Sequence, residues 1–132
     1  MSGSTRPAVK SRPVYLNLVA IRLPFPGFVS FLHRFSGAVM FAIGIPVLLW
    51  TVEESLASAA RFAEMKAVLG HPLAKLVALG LVWAYLHHLL AGIRHLALDL
   101  HVGTELKAAR QSSTVVFVLA LALTAILGIR LW

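Results

Sequence analysis

PLAKLVALGLVWAYLHHLLAGIRHLALDL, residues 72–100, decides the fold: it is longer than the roughly 20 residues that a helix needs to cross a hydrocarbon core, and nearly all apolar. Its polar exceptions are ordered. At about 100° per residue, His88, Gly92, His95 and Asp99 fall within about 60° of one another and form one stripe on an apolar helix. Polar groups are expensive in hydrocarbon and are kept there mainly where they face a bundle interior, so the stripe reads as a site.

Working outward, Phe28–Trp50 and Ser113–Trp132 are the other runs of spanning length. Apolar residues make up 59% of the chain and charged residues 13%, against about 25% in ordinary soluble proteins. The expectation is an all-α membrane protein with three transmembrane helices, spanning about 28–50, 72–100 and 113–132. Residues 1–27 are expected to form an arm and 28–132 a three-helix anchor within a hetero-oligomeric bundle. The first fifteen residues carry Arg6, Lys10, Arg12, Pro7 and Pro13 without the apolar core of a signal peptide, and they do not have the length or amphipathicity of a mitochondrial transit peptide. A bacterial inner (cytoplasmic) membrane is therefore expected. Cysteine is absent, so no disulfide, iron–sulfur cluster or thiol chemistry originates in this chain.

Arg6, Lys10, Arg12 and Arg22 precede the first span, and Lys107 and Arg110 follow the second. Between those spans, Arg61 and Lys66 stand beside Glu53, Glu54 and Glu64. The bias puts the N-terminus on the cytoplasmic side, with Trp50 and Trp132 at the opposite interface, where indole rings settle. Lys75 and Arg130 weaken the bias without reversing it. Leu56, Ala60, Ala63 and Ala67 repeat at helical spacing and suggest a short surface helix in the loop. The net charge of +7 is scattered along membrane flanks, which excludes a nucleic-acid groove and points to the lipid bilayer and polar partner subunits.

Pro24, Pro26 and Gly27 mark the turn into the first span, where Ser30, His33 and Arg34 follow within two turns. Ser30 and Arg34 share a face that Gly37 and Gly44 extend; small residues there admit another helix or a flat cofactor. Taken singly, Arg34 reads as a snorkelling side chain and Ser30 as a hydroxyl bonded to its own backbone. Together with His33, at the depth of His95 and Asp99, they favour a site.

For His88, near the middle of its span, the available roles are haem or metal ligand, proton carrier, or hydrogen bond between helices. A neutral ring is expected at that depth, and its free lone pair suits iron in haem b. Gly92 leaves room beside it, for a porphyrin or equally for a packed helix. His95 is placed to donate to a haem propionate. Arg94, about 100° away, snorkels or binds a propionate or phosphate. His87 faces off the stripe and reads as packing or as a subunit contact, Trp83 as core, and Tyr85 as a possible wall of the His88 pocket. His71 and His101 read as ordinary surface histidines, and Asp99 as an inner-side ion-pair partner. The third span has no histidine, and His33 is expected close to the inner surface, well away from the depth of His88. The second haem ligand is accordingly expected from a partner subunit.

Three segments, Arg12-Pro13-Val14-Tyr15-Leu16-Asn17-Leu18, Ser30-Phe31-Leu32-His33-Arg34-Phe35-Ser36-Gly37, and His88-x-x-x-Gly92-Ile93-Arg94-His95-x-x-x-Asp99, resemble the family of cytochrome b556 membrane-anchor subunits of succinate dehydrogenase. The likeness covers most of the chain. It implies respiratory complex II: a flavoprotein subunit oxidises succinate, an iron–sulfur subunit relays electrons, and two small membrane subunits bind haem b and ubiquinone. It further implies that His88 is the haem iron ligand, that Ser30 and Arg34 belong to the quinone site, and that His33 with Arg34 approach the propionates. Adjacent His87 leaves the choice of imidazole open, with helical phase favouring His88. Two other readings compete: the anchor of a quinol:fumarate reductase, and a haem-free helical interaction or assembly protein.

Overall fold

The computed structural model describes residues 22–132; the arm through residue 21, with Arg6, Lys10, Arg12 and the Arg12–Leu18 segment, lies outside the described residues. Every element among the described residues is helical: α1 (Phe25–Val39), a π turn (Met40–Gly44), α2 (Ile45–Ala57), α3 (Ala59–Gly70), α4 (Pro72–Asp99) and α5 (Leu106–Leu131). Three helices are long and apolar enough to cross a membrane: α1 to α2 taken as one rod (Phe25–Ala57), α4 and α5. They run up, down and up, with α3 joining the first rod to α4 at the end far from the chain's start. The near end, by contrast, holds the start of α1, the end of α4 and the start of α5.

The helix boundaries follow from local chemistry. Pro26 and Pro72 sit in first turns, where their missing N–H groups have no intrahelical partner to lose. Pro46 sits farther along the first rod, where it cannot donate to the carbonyl four residues back. The helix widens just before it, and the Ile45 N–H reaches the Met40 carbonyl across five residues. The rod continues past Trp50 to Ala57, with Thr51 and Ser55 donating their hydroxyls to Val47 O (2.7 Å) and Thr51 O (2.6 Å). Ser58, in extended conformation, ends it and caps α3 by accepting the Arg61 N–H. Of the residues that suggested a surface helix, Ala60, Ala63 and Ala67 lie in α3, whereas Leu56 belongs to α2, before the break at Ser58. His71 caps α4, its Nδ1 accepting the Leu73 N–H at 3.2 Å. At the far end of that helix His101 adopts φ 61°, Val102 N–H bonds to Ala97 O and His101 N–H to Leu98 O, which closes the helix and turns the chain into α5.

The core sits where α1, α4 and α5 meet, with Val29, Ala91 and Val116 buried and Leu90 and Phe117 packed against them. Small residues, Ala84, Ala91 and Ala120, are also buried, as suits closely packed helices. Most large apolar side chains point outward, as expected where lipid and partner helices are the solvent.

Candidate functional site

α1 and α4 press their polar faces together. Ser30, His33 and Ser36 come from α1, and His88 and His95 from α4. The His33 and His88 rings stack with centroids 4.2 Å apart and 17° between planes. The His33 and His95 rings lie 4.9 Å apart, and Ser30 Oγ is 3.3 Å from His95 Nε2. This corrects the expected depth of His33. Counted from helix ends, His33 is about 12 Å in and His88 about 17 Å in. However, α1 starts inside the bundle: Phe25 packs edge-on against Phe117, well along α5, at 5.9 Å. The α4–α5 hairpin projects past the start of α1, and His33 reaches the level of His88.

The orientation of His88 follows from its hydrogen bonds. Its Nδ1 is 2.9 Å from the His33 carbonyl oxygen, which can only accept, so Nδ1 carries the proton. Ser36 Oγ, 3.4 Å from the same nitrogen, donates its own proton to that carbonyl at 2.9 Å. With Nδ1 committed to that carbonyl, Nε2 is the nitrogen of this ring left for a further partner. Glycine makes the fit possible: a Cβ on Gly37 would lie 2.8 Å from His88 Cε1. Across the interface, a Cβ on Gly92 would be 3.5 Å from His33 Nε2, an ordinary contact.

His87 is a different kind of residue. It is completely buried, with Nε2 donating to Val29 O at 3.4 Å, its ring stacked on Trp83 and edge-on to Phe117. Its enclosure in the α1–α4–α5 core fits the packing reading. Arg34 stands outside the cluster, exposed on the bundle surface, although it shares a helix face with half-buried Ser30. Asp99 is also exposed and makes no ion pair among the described residues; the ion pair that these do make is Arg61–Glu54, at 3.0 Å. Tyr85 lines a separate apolar groove with Gly44, Leu48 and Leu81 and does not join His88.

One site residue and one backbone group escape a reading of the sequence. Ser36 and the backbone carbonyl of His33 hold His88, and neither stands out by type; the available signal is that Ser36 lies one turn from His33 on the same face. Among the described residues no cluster of three or more His, Cys, Asp or Glu is arranged to hold a bare metal ion.

Comparison with known proteins identifies relatives of the chain. The family profile described as succinate dehydrogenase/fumarate reductase transmembrane subunit matches residues 8–127. The chain is similar to the succinate dehydrogenase cytochrome b556 subunit of Coxiella burnetii, 34% identical over 122 residues that cover 92% of this chain and 97% of that one. It is also similar to the subunit of the same name from Paracoccus denitrificans, 34% identical over 103 residues and 78% of each chain.

Proposed function

The chain belongs to the succinate dehydrogenase/fumarate reductase transmembrane-subunit family, and from that premise we propose that it anchors a succinate:quinone oxidoreductase in a bacterial inner membrane, with its N-terminus cytoplasmic. In this reading a flavoprotein subunit and an iron–sulfur subunit deliver electrons, a second small membrane subunit packs beside this one, and ubiquinone is the substrate. The observation that carries it is the bond from His88 Nδ1 to the His33 carbonyl, which leaves Nε2 free to bind iron.

The residues fit haem b. His88 offers one imidazole, Gly37 lets its ring lie flush against α1, and His33 and Arg34 supply donors for the propionates, while His95 turns its Nε2 to Ser30. The face-to-face rings of His33 and His88 do not aim two lone pairs at one iron, which in this reading leaves the second ligand to the partner subunit. Bound there, haem b supplies a one-electron site.

Quinone reduction takes two electrons and two protons. Ser30 holds a hydroxyl beside His95 Nε2. With Nε2 protonated and donating to Ser30 Oγ, the hydroxyl proton is free to bond a quinone carbonyl. Arg34 adds positive potential that stabilises negative charge on the quinone oxygens as electrons arrive. Both relatives carry the succinate dehydrogenase name, which favours succinate oxidation over a quinol:fumarate reductase. In a haem-free interaction protein the same cluster would only hold α1 to α4.

A reduced-minus-oxidised spectrum of membranes co-expressing the chain with its partner subunits tests the reading. The b-type band is expected to vanish in His88→Ala, and its persistence would overturn the ligand assignment. Arg34→Leu should keep the band and lower quinone reduction roughly tenfold or more. Unchanged turnover in that variant would remove Arg34 from the quinone site.

A further inference from the structure

Arg94 lies outside the site described above. It sits on the side of α4 that faces α5, where its Nε donates to Ser112 Oγ at 2.9 Å and its Nη2 to Ala109 O at 3.4 Å. Only 9% of the residue is exposed, and it makes no ion pair among the described residues. A guanidinium has five N–H donors, of which these contacts use two. A buried charge held by neutral acceptors alone is costly in an apolar setting and calls for an anion.

The guanidinium lines a groove between α4 and α5 that contains no acidic residue. Gln111 and Ser112 lie beside Arg94, with Val102, Gly103 and Ala108 lining the groove on their loop side and Leu90, Val115 and Leu119 lining it toward the middle of the bundle. From Ser112, which holds the guanidinium, to Leu119 is about 10 Å of helix, within the about 15 Å of hydrocarbon in one leaflet. A groove with one cation toward the loop end of the helices and apolar walls reaching from it into the span is matched to an amphiphile with an anionic head. A soluble anion would leave the walls unused. We propose that the α4–α5 groove is a binding site for one anionic phospholipid, with Arg94 on the phosphate and an acyl chain along Leu90, Val115 and Leu119.

The test uses the full chain purified from membranes with whatever subunits accompany it. Samples are equilibrated with micelles containing either phosphatidylglycerol or phosphatidylcholine, and retained lipid is counted by native mass spectrometry. One phosphatidylglycerol per copy is expected, with little phosphatidylcholine. Arg94→Gln should lower occupancy roughly tenfold, as should Leu119→Trp, which fills the deep wall and leaves the charge in place, while Arg94→Lys should retain most of the lipid. Should Arg94→Gln fail to assemble, Leu119→Trp carries the test alone, since it touches none of the polar contacts. Equal retention of the two lipids, an unaffected Leu119→Trp, or displacement by inorganic phosphate would overturn the proposal. So would wild-type protein without lipid, the result expected if a carboxylate of a partner subunit meets Arg94 instead. None of these readouts depends on haem or quinone.

Discussion

His88 is held by a backbone carbonyl, and the approach that makes this bond depends on a residue with no side chain. A methyl group on Gly37 would stand 2.8 Å from Cε1, and the ring cannot swing away without losing the His33 carbonyl. Gly37→Ala should weaken the b-type band several-fold per assembled complex and cost about 1–3 kcal/mol in stability, as overpacked sites do. Gly92→Ala, whose Cβ would meet His33 at an ordinary 3.5 Å, should leave the band near wild type. The same difference spectrum, normalised to assembled protein, reads both. The stripe of His88, Gly92 and His95 is legible in the sequence because helical periodicity holds whatever the helix packs against. The roles of Ser36 and of the His33 carbonyl are not legible, because they depend on how far α1 slides along α4. The start of α1 beside Phe117 sets that offset, and no run of residues announces it.

Among the elements, the end of α4 carries a local cost. His101 takes φ 61°, a left-handed conformation that favours glycine, and its side chain makes no hydrogen bond among the described residues. His101→Gly should therefore stabilise the folded protein by up to about 1 kcal/mol, seen as a rise in the thermal midpoint of the purified protein. Taken from sequence alone, His101 looks like an ordinary surface histidine, since the turn that needs it is closed by backbone bonds to Ala97 and Leu98. α3 could be read from Ala60, Ala63 and Ala67, although Leu56, which seemed to continue the repeat, belongs to α2 and the side chain that α3 buries is Met65. The extension of the first rod to Ala57 hides in the sequence behind Glu53 and Glu54. Those acids look like the end of a span, yet Thr51 and Ser55 continue the helix by bonding back onto it.

For the molecule as a whole, the unpartnered apolar exterior fits an anchor that lipid and other subunits complete. At the end far from the chain's start, Lys75 Nζ lies 5.2 Å from the Trp132 ring, a cation and an indole gathered at one level, as at a membrane interface. Orientation can be measured cleanly because the chain has no cysteine of its own. In intact cells made permeable only at the outer membrane, Lys66→Cys on α3 should react with a membrane-impermeant maleimide. Lys107→Cys, at the start of α5, should react only after the inner membrane is opened; the reverse pattern would invert the assigned topology. The π turn before Pro46 matters at this scale too. A widened turn is in effect one surplus residue stored within a rod, so Met40–Gly44 is the stretch where the chain can shorten by one residue without rotating either half against its neighbours. A deletion anywhere between Ser30 and Gly37 would instead turn the histidine face about 100° away from α4. Length differences among related chains in this span should therefore gather at that turn.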